Sequence, residues 1–477
     1  MSESTQFQPT PLVLRGVTIV DTHSGGLTPN RAIVISGGRI SNIVPAASFA
    51  SDSSTKVVDA PGKFVVPGFL DMHAHILEEE NRENSLNLML AHGITGWRQM
   101  SGSSKLLEER KLGQLSLGTD APEILEMPGQ ILTPTNSGTP EISVAEVQKQ
   151  RAEGADFIKT INVTPRTFFA SLREARKNGL AYVGHLSLGV RSEKASEAGM
   201  RSIEHLGPLE LQLISCSSLG WLIRLVLALK SPPAIDLSPE KMATVGKLIV
   251  ANPTLFRMQV DPSGMKNTRR LIDSFREDKC RRLAQVFVAH GTWQVPTLIR
   301  IETMQLAEEP RFAEDPNLRY MPKATRQFWI SLAQKFAETV TTEGRETLKQ
   351  LTALALRMTK LFDESGVKML TGSDYGGMWV IPGVSLHQEF DLLAKAGLSP
   401  LKVLQMTTLA GAEFLHREAT VGSVEVGRDA NLVLLDGNPI ESCQNLHKIS
   451  AVFRAGQCYS RDALDGLKRN VADRIAS

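Results

Sequence analysis

From residue 63 to residue 374 the chain alternates short apolar runs with longer stretches whose apolar positions recur every three or four residues. The runs are FVVPGFLDMHAH, GITGWRQM, PEILEMPGQIL, ADFIKTIN, LAYVGHL, RSIEHL, WQVPTLI and VKMLTGSD, each read as a strand. VAEVQKQRAEG, PRTFFASLREARKNG and SEKASEAG, which separate several of them, read as amphipathic helices. Strands and helices in alternation predict a parallel sheet of the α/β class. Eight such strands over roughly 350 residues fit a (β/α)8 TIM-like barrel with insertions.

The two ends differ from the middle. PLVLRGVTIVD, RAIVISGGRISNIVP and TKVVDAPG are rich in Val and Ile and punctuated by Gly-Gly and Pro-Gly, and VGSVEVGRDANLVLLDG and ISAVFRAGQCYS repeat that texture near the C-terminus. Residues 1–62 and 420–477 are therefore expected to build one small β-sandwich domain, leaving 63–419 to the barrel. Two spacings are long for barrel loops, about 207–292 and 311–362, and both follow strand ends, where a barrel gathers its active face. The first holds SSLGWLIRLVLALKSPP, with Trp221, Leu222, Ile223, Leu225 and Leu227. Such a helix suits a lid over an apolar substrate group, but packing on the barrel or a subunit contact is the commoner use. Arg224 interrupts it and a Pro pair closes it, so it is too short to span a bilayer.

Composition narrows the functions. Hydrophobic residues at 42% and charged residues at 22% are ordinary for a folded chain. Lys plus Arg number 53 against 51 Asp plus Glu, a net +2, which gives no ground to expect a nucleic-acid or membrane partner and says little else about function. The four cysteines form no CxxC pair, which argues against a thiolate zinc site and a disulfide framework. That usage, with no basic-then-apolar leader at the N-terminus, makes a cytoplasmic location the expectation.

The candidate chemistry sits at the ends of the apolar runs. His73 and His75 are two apart on a strand, so both side chains point to one face and can chelate one ion. An HxH pair alone is as readily an ordinary strand. Four other runs each end on a residue of ligand type: Lys159, His185, His205 and Asp374. A buried lysine is costly unless paired or modified, and the plain alternative for Lys159 is a salt bridge to a carboxylate such as Glu204. Unpaired core histidines are the plain alternative for His185 and His205. Six such coincidences together are much less common than any one of them.

With these residues in view, the chain resembles the amidohydrolase superfamily, above all its imidazolonepropionase-like and prolidase-like metal-dependent hydrolases. The likeness runs through VVPGFLDMHAH, GADFIKT, GH, SIEH, VPTL and TGSD, then through LSPLKVLQMTTLAGAEFL and GSVEVGRDANLVLLDGNP. It implies that His73, His75 and Asp374 hold a more buried metal and His185 and His205 a more exposed one. Lys159 would bridge the two as an N6-carboxylysine, a carbamate derived from CO2. Zinc suits the donor set, and cobalt or manganese would also fit. The implied reaction is hydrolysis of an amide-like C–N bond by a metal-bridging hydroxide, with Asp374 as general base and then general acid. The implied substrate is a dipeptide-like compound, an N-acyl amino acid or an aromatic amide. A carbamate, thiocarbamate or urea is the runner-up, ahead of a cyclic amide, a deamination or a non-catalytic scaffold. Relatives of this kind are commonly homo-oligomers.

The sequence departs from the resemblance in three places. LTPTNSGTP stands where a Gly-Gly-His turn is frequent, GWRQM where an Arg-Asp pair is common, and Asn431 where an Asp is usual. Arg300, just beyond VPTL, could meet a substrate carboxylate, but a surface salt bridge is the commoner use of such a residue. Tyr375 beside Asp374 and His387 after the eighth run are further candidates for substrate contact.

Overall fold

The computed structural model describes residues 12–50, 55–229, 239–261 and 264–476, without the side chains of Leu209 and residues 226–244. Fifteen strands run along the described residues. The first five are β1 (Leu12–Val20), β2 (Leu27–Ser36), β3 (Arg39–Pro45), β4 (Lys56–Asp59) and β5 (Phe64–Pro67). Seven follow in the middle of the chain: β6 (Phe69–Ala74), β7 (Ile94–Gln99), β8 (Glu123–Glu126), β9 (Phe157–Thr160), β10 (Ala181–Gly184), β11 (Ser202–Glu204) and β12 (Trp293–Val295). The last three are β13 (Leu432–Leu435), β14 (Ile449–Arg454) and β15 (Gln457–Ser460).

Both ends of the chain meet in one hydrogen-bonded sheet, ordered β15-β14-β13-β5-β1-β2-β3 with β4 beside β1. Alternate residues explain its shape. Leu12, Leu14, Ile33, Ile35, Leu432, Leu434, Ala451 and Phe453 pack on one another, so the sheet curls over its own core. The two layers of the expected sandwich are thus one continuous curled sheet. From the other face Val66, Val433, Leu435 and Val452 join the large core that runs around the barrel. Phe64–Pro67, placed with the barrel from sequence, pairs here with β1 and β13.

The barrel is parallel throughout its paired strands, β6-β7-β8 and β9-β10-β11-β12. Single bridges close the ring: Leu132 to Thr160 joins the third strand region to β9, Gln294 to Met369 joins β12 to the eighth run, and Ala74 to Tyr375 returns to β6. The third run is split, because Pro128 and Gly129 separate β8 from the bridge at Leu132. The eighth run is no regular strand either. Asp374 N–H donates to the His73 carbonyl at 2.8 Å, but its φ of +53° takes the backbone out of extended geometry. Inside the ring Leu70, Met72, Phe157, Val183, Trp293 and Leu370 form a close-packed plug. Each large side chain there contributes roughly 1.5–3 kcal/mol by leaving water.

Both long spacings are helical. The first carries helices Gly220–Leu229, Pro239–Ala251, Pro253–Val260, Gly264–Asp273 and Glu277–His290, and the second Lys323–Thr339 and Thr342–Glu364. Trp221 is 67% exposed and Leu225 51%, so this face of the apolar helix is not packed on the barrel. The stretch 230–238 that follows it, with its Pro pair, lies outside the described residues, as does the side chain of Leu227. A helix at Arg461–Ala476, not anticipated from sequence, packs on Arg82–Ala91.

Candidate metal centre

The fold gathers all six ligand-type residues at the C-terminal ends of the barrel strands. His73 and His75 leave β6, Lys159 is on β9, His185 and His205 follow β10 and β11, and Asp374 ends the eighth run. Backbone strain concentrates here. His205, Thr297 and Asp374 have φ of 55°, 45° and 53°, conformations that side-chain-bearing residues adopt at about 1–3 kcal/mol each.

Asp71, two residues before His73, joins the two ends of the ring. Its carboxylate accepts from His73 N at 3.1 Å, Ser373 N at 3.0 Å and Ser373 Oγ at 2.6 Å, so the HxH segment and Asp374 are set by one buried group. Burial pushes that carboxyl up to about 6, against the pull of Ser373.

The imidazoles are oriented from behind. His73 donates from Nδ1 to Glu204 Oε2 at 2.8 Å, and Glu204 is paired in turn with Arg98 at 3.0 Å and Ser202 at 2.6 Å. Burial alone would raise the Glu204 carboxyl, but Arg98 and His73 outweigh it and hold the group well below the usual range. His205 Nδ1 lies 2.6 Å from Thr297 Oγ1, whose own hydrogen goes to the Pro296 carbonyl, so Nδ1 donates here too. His75 Nδ1 meets Ser101 Oγ at 2.7 Å. His185 stands edge-on to His205, ring centroids 4.8 Å apart.

With Nδ1 turned to Glu204 and Thr297, the Nε2 atoms of His73 and His205 point into the site, and there they meet a carboxylate. His73 Nε2 is 3.1 Å from Asp374 Oδ1 and His205 Nε2 3.8 Å from Asp374 Oδ2. Imidazole nitrogen and carboxylate oxygen at such distances are held together by a second ring proton or by a cation between them. The donors of His73, His205 and Asp374 all fall within 4.8 Å of one another, which suits a metal ion. These three cut across the division implied by the resemblance, which separates His205 from His73 and Asp374. Burial, then the charge of Lys159, holds His75 below the usual histidine range and His185 down at about 3, a direction that favours the ligating form of each ring.

Lys159 lies among the imidazoles, Nζ 3.1 Å from His73 Nε2 and 3.3 Å from His75 Nε2. Glu204, its supposed salt-bridge partner, is taken up by Arg98, Ser202 and His73. Burial lowers the lysine to about 8, which raises the share of neutral amine.

The weaker candidates are placed as follows. Tyr375 lines a cavity of 760 Å³, its hydroxyl 3.4 Å from Ser85 Oγ. Arg300 is neither at the surface nor open to a substrate carboxylate: Nε is 3.2 Å from Asp374 Oδ2, and Nη1 and Nη2 donate to the carbonyls of Ala251 and Val250 at 2.9 and 2.5 Å. His387 is on the opposite side of the barrel, donating to the His92 carbonyl at 2.8 Å and packed on Phe69, the first residue of β6. The segment before the helix Val384–Lys395 has already left the strand ends, since Gly383 packs on His92 and Leu88. Sequence reasoning missed Arg98, Ser101 and Thr297, whose only signal was a polar residue within or just after an apolar run.

The amidohydrolase family signature matches residues 270–459. Among solved structures, a bottromycin amidohydrolase superposes with a TM-score of 0.67 at 21% identity, over 98% of this chain and 91% of that one. An Xaa-Pro dipeptidase with bound methionine gives 0.61 at 19%, over 94% and 100%. These are likenesses of fold. An adenine deaminase of Mesorhizobium japonicum is 44% identical over 69 residues, 14% of this chain and 11% of the deaminase. The match thus spans about a tenth of that relative's length. The chain thus carries the amidohydrolase family signature over residues 270–459 and shares its fold with these solved structures.

Proposed function

We propose that this chain is a metal-dependent hydrolase that cleaves an amide-like C–N bond. His73, His75 and Asp374 would hold one divalent ion and His185 and His205 a second, with Lys159, carboxylated on Nζ, between them. The observation that carries this reading is the convergence of the His73, His205 and Asp374 donor atoms, all within 4.8 Å of one another, with His75, His185 and Lys159 beside them. Zinc matches the imidazole and carboxylate donors. When bound, divalent ions supply a water of lowered pKa and polarise the scissile carbonyl.

The chain's own residues do the rest. Glu204 and Thr297 hold the His73 and His205 rings so that Nε2 faces inward. The neutral amine of Lys159 can add to CO2, forming the N–C bond of a carbamate and releasing one proton. Asp374, held below the usual carboxylate range by His205 and His73 although burial opposes them, can take a proton from water and pass it to the departing nitrogen. Arg300 fixes which way Oδ2 of that carboxylate points.

A deaminase is the second reading, supported by the adenine deaminase segment. Lys159 among the imidazoles favours the binuclear amide hydrolase over it. Metal analysis of protein purified without chelator should return about two ions per chain, and chelation should abolish turnover of a panel of dipeptides, N-acyl amino acids, anilides, carbamates and ureas. Full turnover by metal-free protein would overturn the proposal. Ammonia release from adenine, with no panel amide cleaved, would establish the second reading instead.

A further inference from the structure

Of the three substrate types the resemblance implies, two carry a free carboxylate beside the scissile bond and one does not. The cavity next to Asp374 separates them. It begins at Tyr375 and Gly376, the two residues after Asp374, and its 760 Å³ is the size of a site for a drug-sized molecule. Both insertions wall it. Val250 comes from the first, and Tyr320, Met321, Pro322, Phe328 and Trp329 come from the second. Phe328 is 39% exposed and Val250 61%, apolar surface that a ligand could cover.

The charge around this cavity is wrong for a carboxylate. Its described lining carries the acids Glu79 and Glu80 against Lys247. Ser85 Oγ donates to Glu79 at 2.6 Å, and the Ser85 and Tyr375 hydroxyls oppose the burial that raises this carboxyl, which leaves Glu80 as the exposed acid of the rim. Lys247 is exposed, on the helix Pro239–Ala251. The two guanidiniums near the centre, Arg98 with one unpartnered nitrogen and Arg300, are both buried and neither lines the cavity. Arg300 has a partner on each of its three nitrogens. Arg98 is fully buried, donating from Nε to the Met72 carbonyl and from Nη2 to Glu204.

We infer that this site, read as an amide hydrolase, takes amides whose flanking group is bulky, apolar and uncharged, aryl amides above all, and disfavours substrates with a free carboxylate next to the scissile bond. The apolar walls supply binding by burial, and the acidic rim, with no guanidinium among its described residues, excludes the anion.

A matched pair tests this in the metal-loaded full chain: N-benzoyl-phenylalanine and its carboxamide, N-benzoyl-phenylalaninamide, which differ only in the charge. The carboxamide should have a kcat/KM at least about ten-fold higher. Phe328→Ala should raise its KM about five-fold or more with a smaller change in kcat. Equal or better turnover of the carboxylate would overturn the inference while leaving the amide hydrolase reading intact. Protein that binds metal but cleaves neither compound, nor any amide of the wider panel, would overturn that underlying reading and this inference with it.

Discussion

Glu204 holds His73 by its Nδ1, carboxylate oxygen to ring nitrogen at 2.8 Å, with both side chains fully buried. The same carboxylate balances the buried guanidinium of Arg98. Glu204→Gln should therefore do two separable things. It leaves Arg98 without an anion, which should cost about 3–5 kcal/mol in urea unfolding. It also weakens the support of His73, which should lower metal affinity about 10–100-fold in competition with a chelator. Adding Arg98→Met should recover part of the stability and none of the affinity. Unchanged metal affinity in Glu204→Gln would mean that His73 is not a ligand.

Glu389 supports the site from farther away. Its Oε2 accepts from Ile299 N at 2.8 Å, capping the helix Leu298–Gln305 that follows Thr297 and carries Arg300. Burial pushes this carboxyl up to about 8 from an ordinary 4.5, against the pull of the Ile299 and Leu298 amides. A raised carboxyl pKa means the folded chain binds more protons than the unfolded one between those values. The contribution is present below about 4.5 and is lost as pH rises to about 8. Glu389→Gln mimics the protonated form and keeps an acceptor for Ile299. Its unfolding free energy should fall less steeply between pH 5 and 8 than that of the parent, the two curves parting by roughly 1.4 kcal/mol for every pH unit over which the folded parent keeps this extra proton. Parallel slopes would show that Glu389 does not titrate in that window.

The barrel and its six strand-end residues were legible because each ligand-type side chain interrupts an apolar run, and a buried strand cannot hide such a residue. What holds those residues was not legible. Arg98 and Glu204 are on β7 and β11, 106 positions apart, and only the register of a closed barrel brings them together. The sequence therefore offered Lys159 as the partner of Glu204. His387 follows Asp374 by thirteen residues, yet it packs on Phe69 and His92, at the starts of the strands. Arg300 looked exposed one turn beyond β12, and it is buried because the first insertion lies over it.

Gly184, just before His185, allows β9 and β10 to close on each other. Its φ is +121°, and a Cβ there would lie 2.4 Å from the Thr160 carbonyl oxygen and 2.9 Å from the Thr160 nitrogen. Both are backbone atoms, so no side chain can yield, and Lys159 is the neighbouring residue. Gly184→Ala should cost about 3 kcal/mol or more by combining strain with overpacking. It should also displace His185, lowering the metal content from two ions toward one. An alanine variant with full stability and full metal content would show that the two strands can part without disturbing the centre.

Arg300 ties the first insertion to Asp374. The carbonyls of Val250 and Ala251, at the end of the helix Pro239–Ala251, are the unsatisfied acceptors that every helix C-terminus presents, and a guanidinium suits both their geometry and their charge. The same group reaches Asp374 Oδ2 at 3.2 Å, so the seating of the insertion and the orientation of the carboxylate are linked. Lysine cannot span three acceptors with one ammonium. Arg300→Lys should therefore speed amide hydrogen exchange across residues 246–261 and lower kcat about ten-fold or more, with KM changed less, because a misoriented base slows chemistry more than binding. Metal content should hold, since the other ligands are untouched. A variant whose exchange quickens while kcat stays normal would show that Arg300 anchors the insertion only and that Asp374 finds its orientation without it.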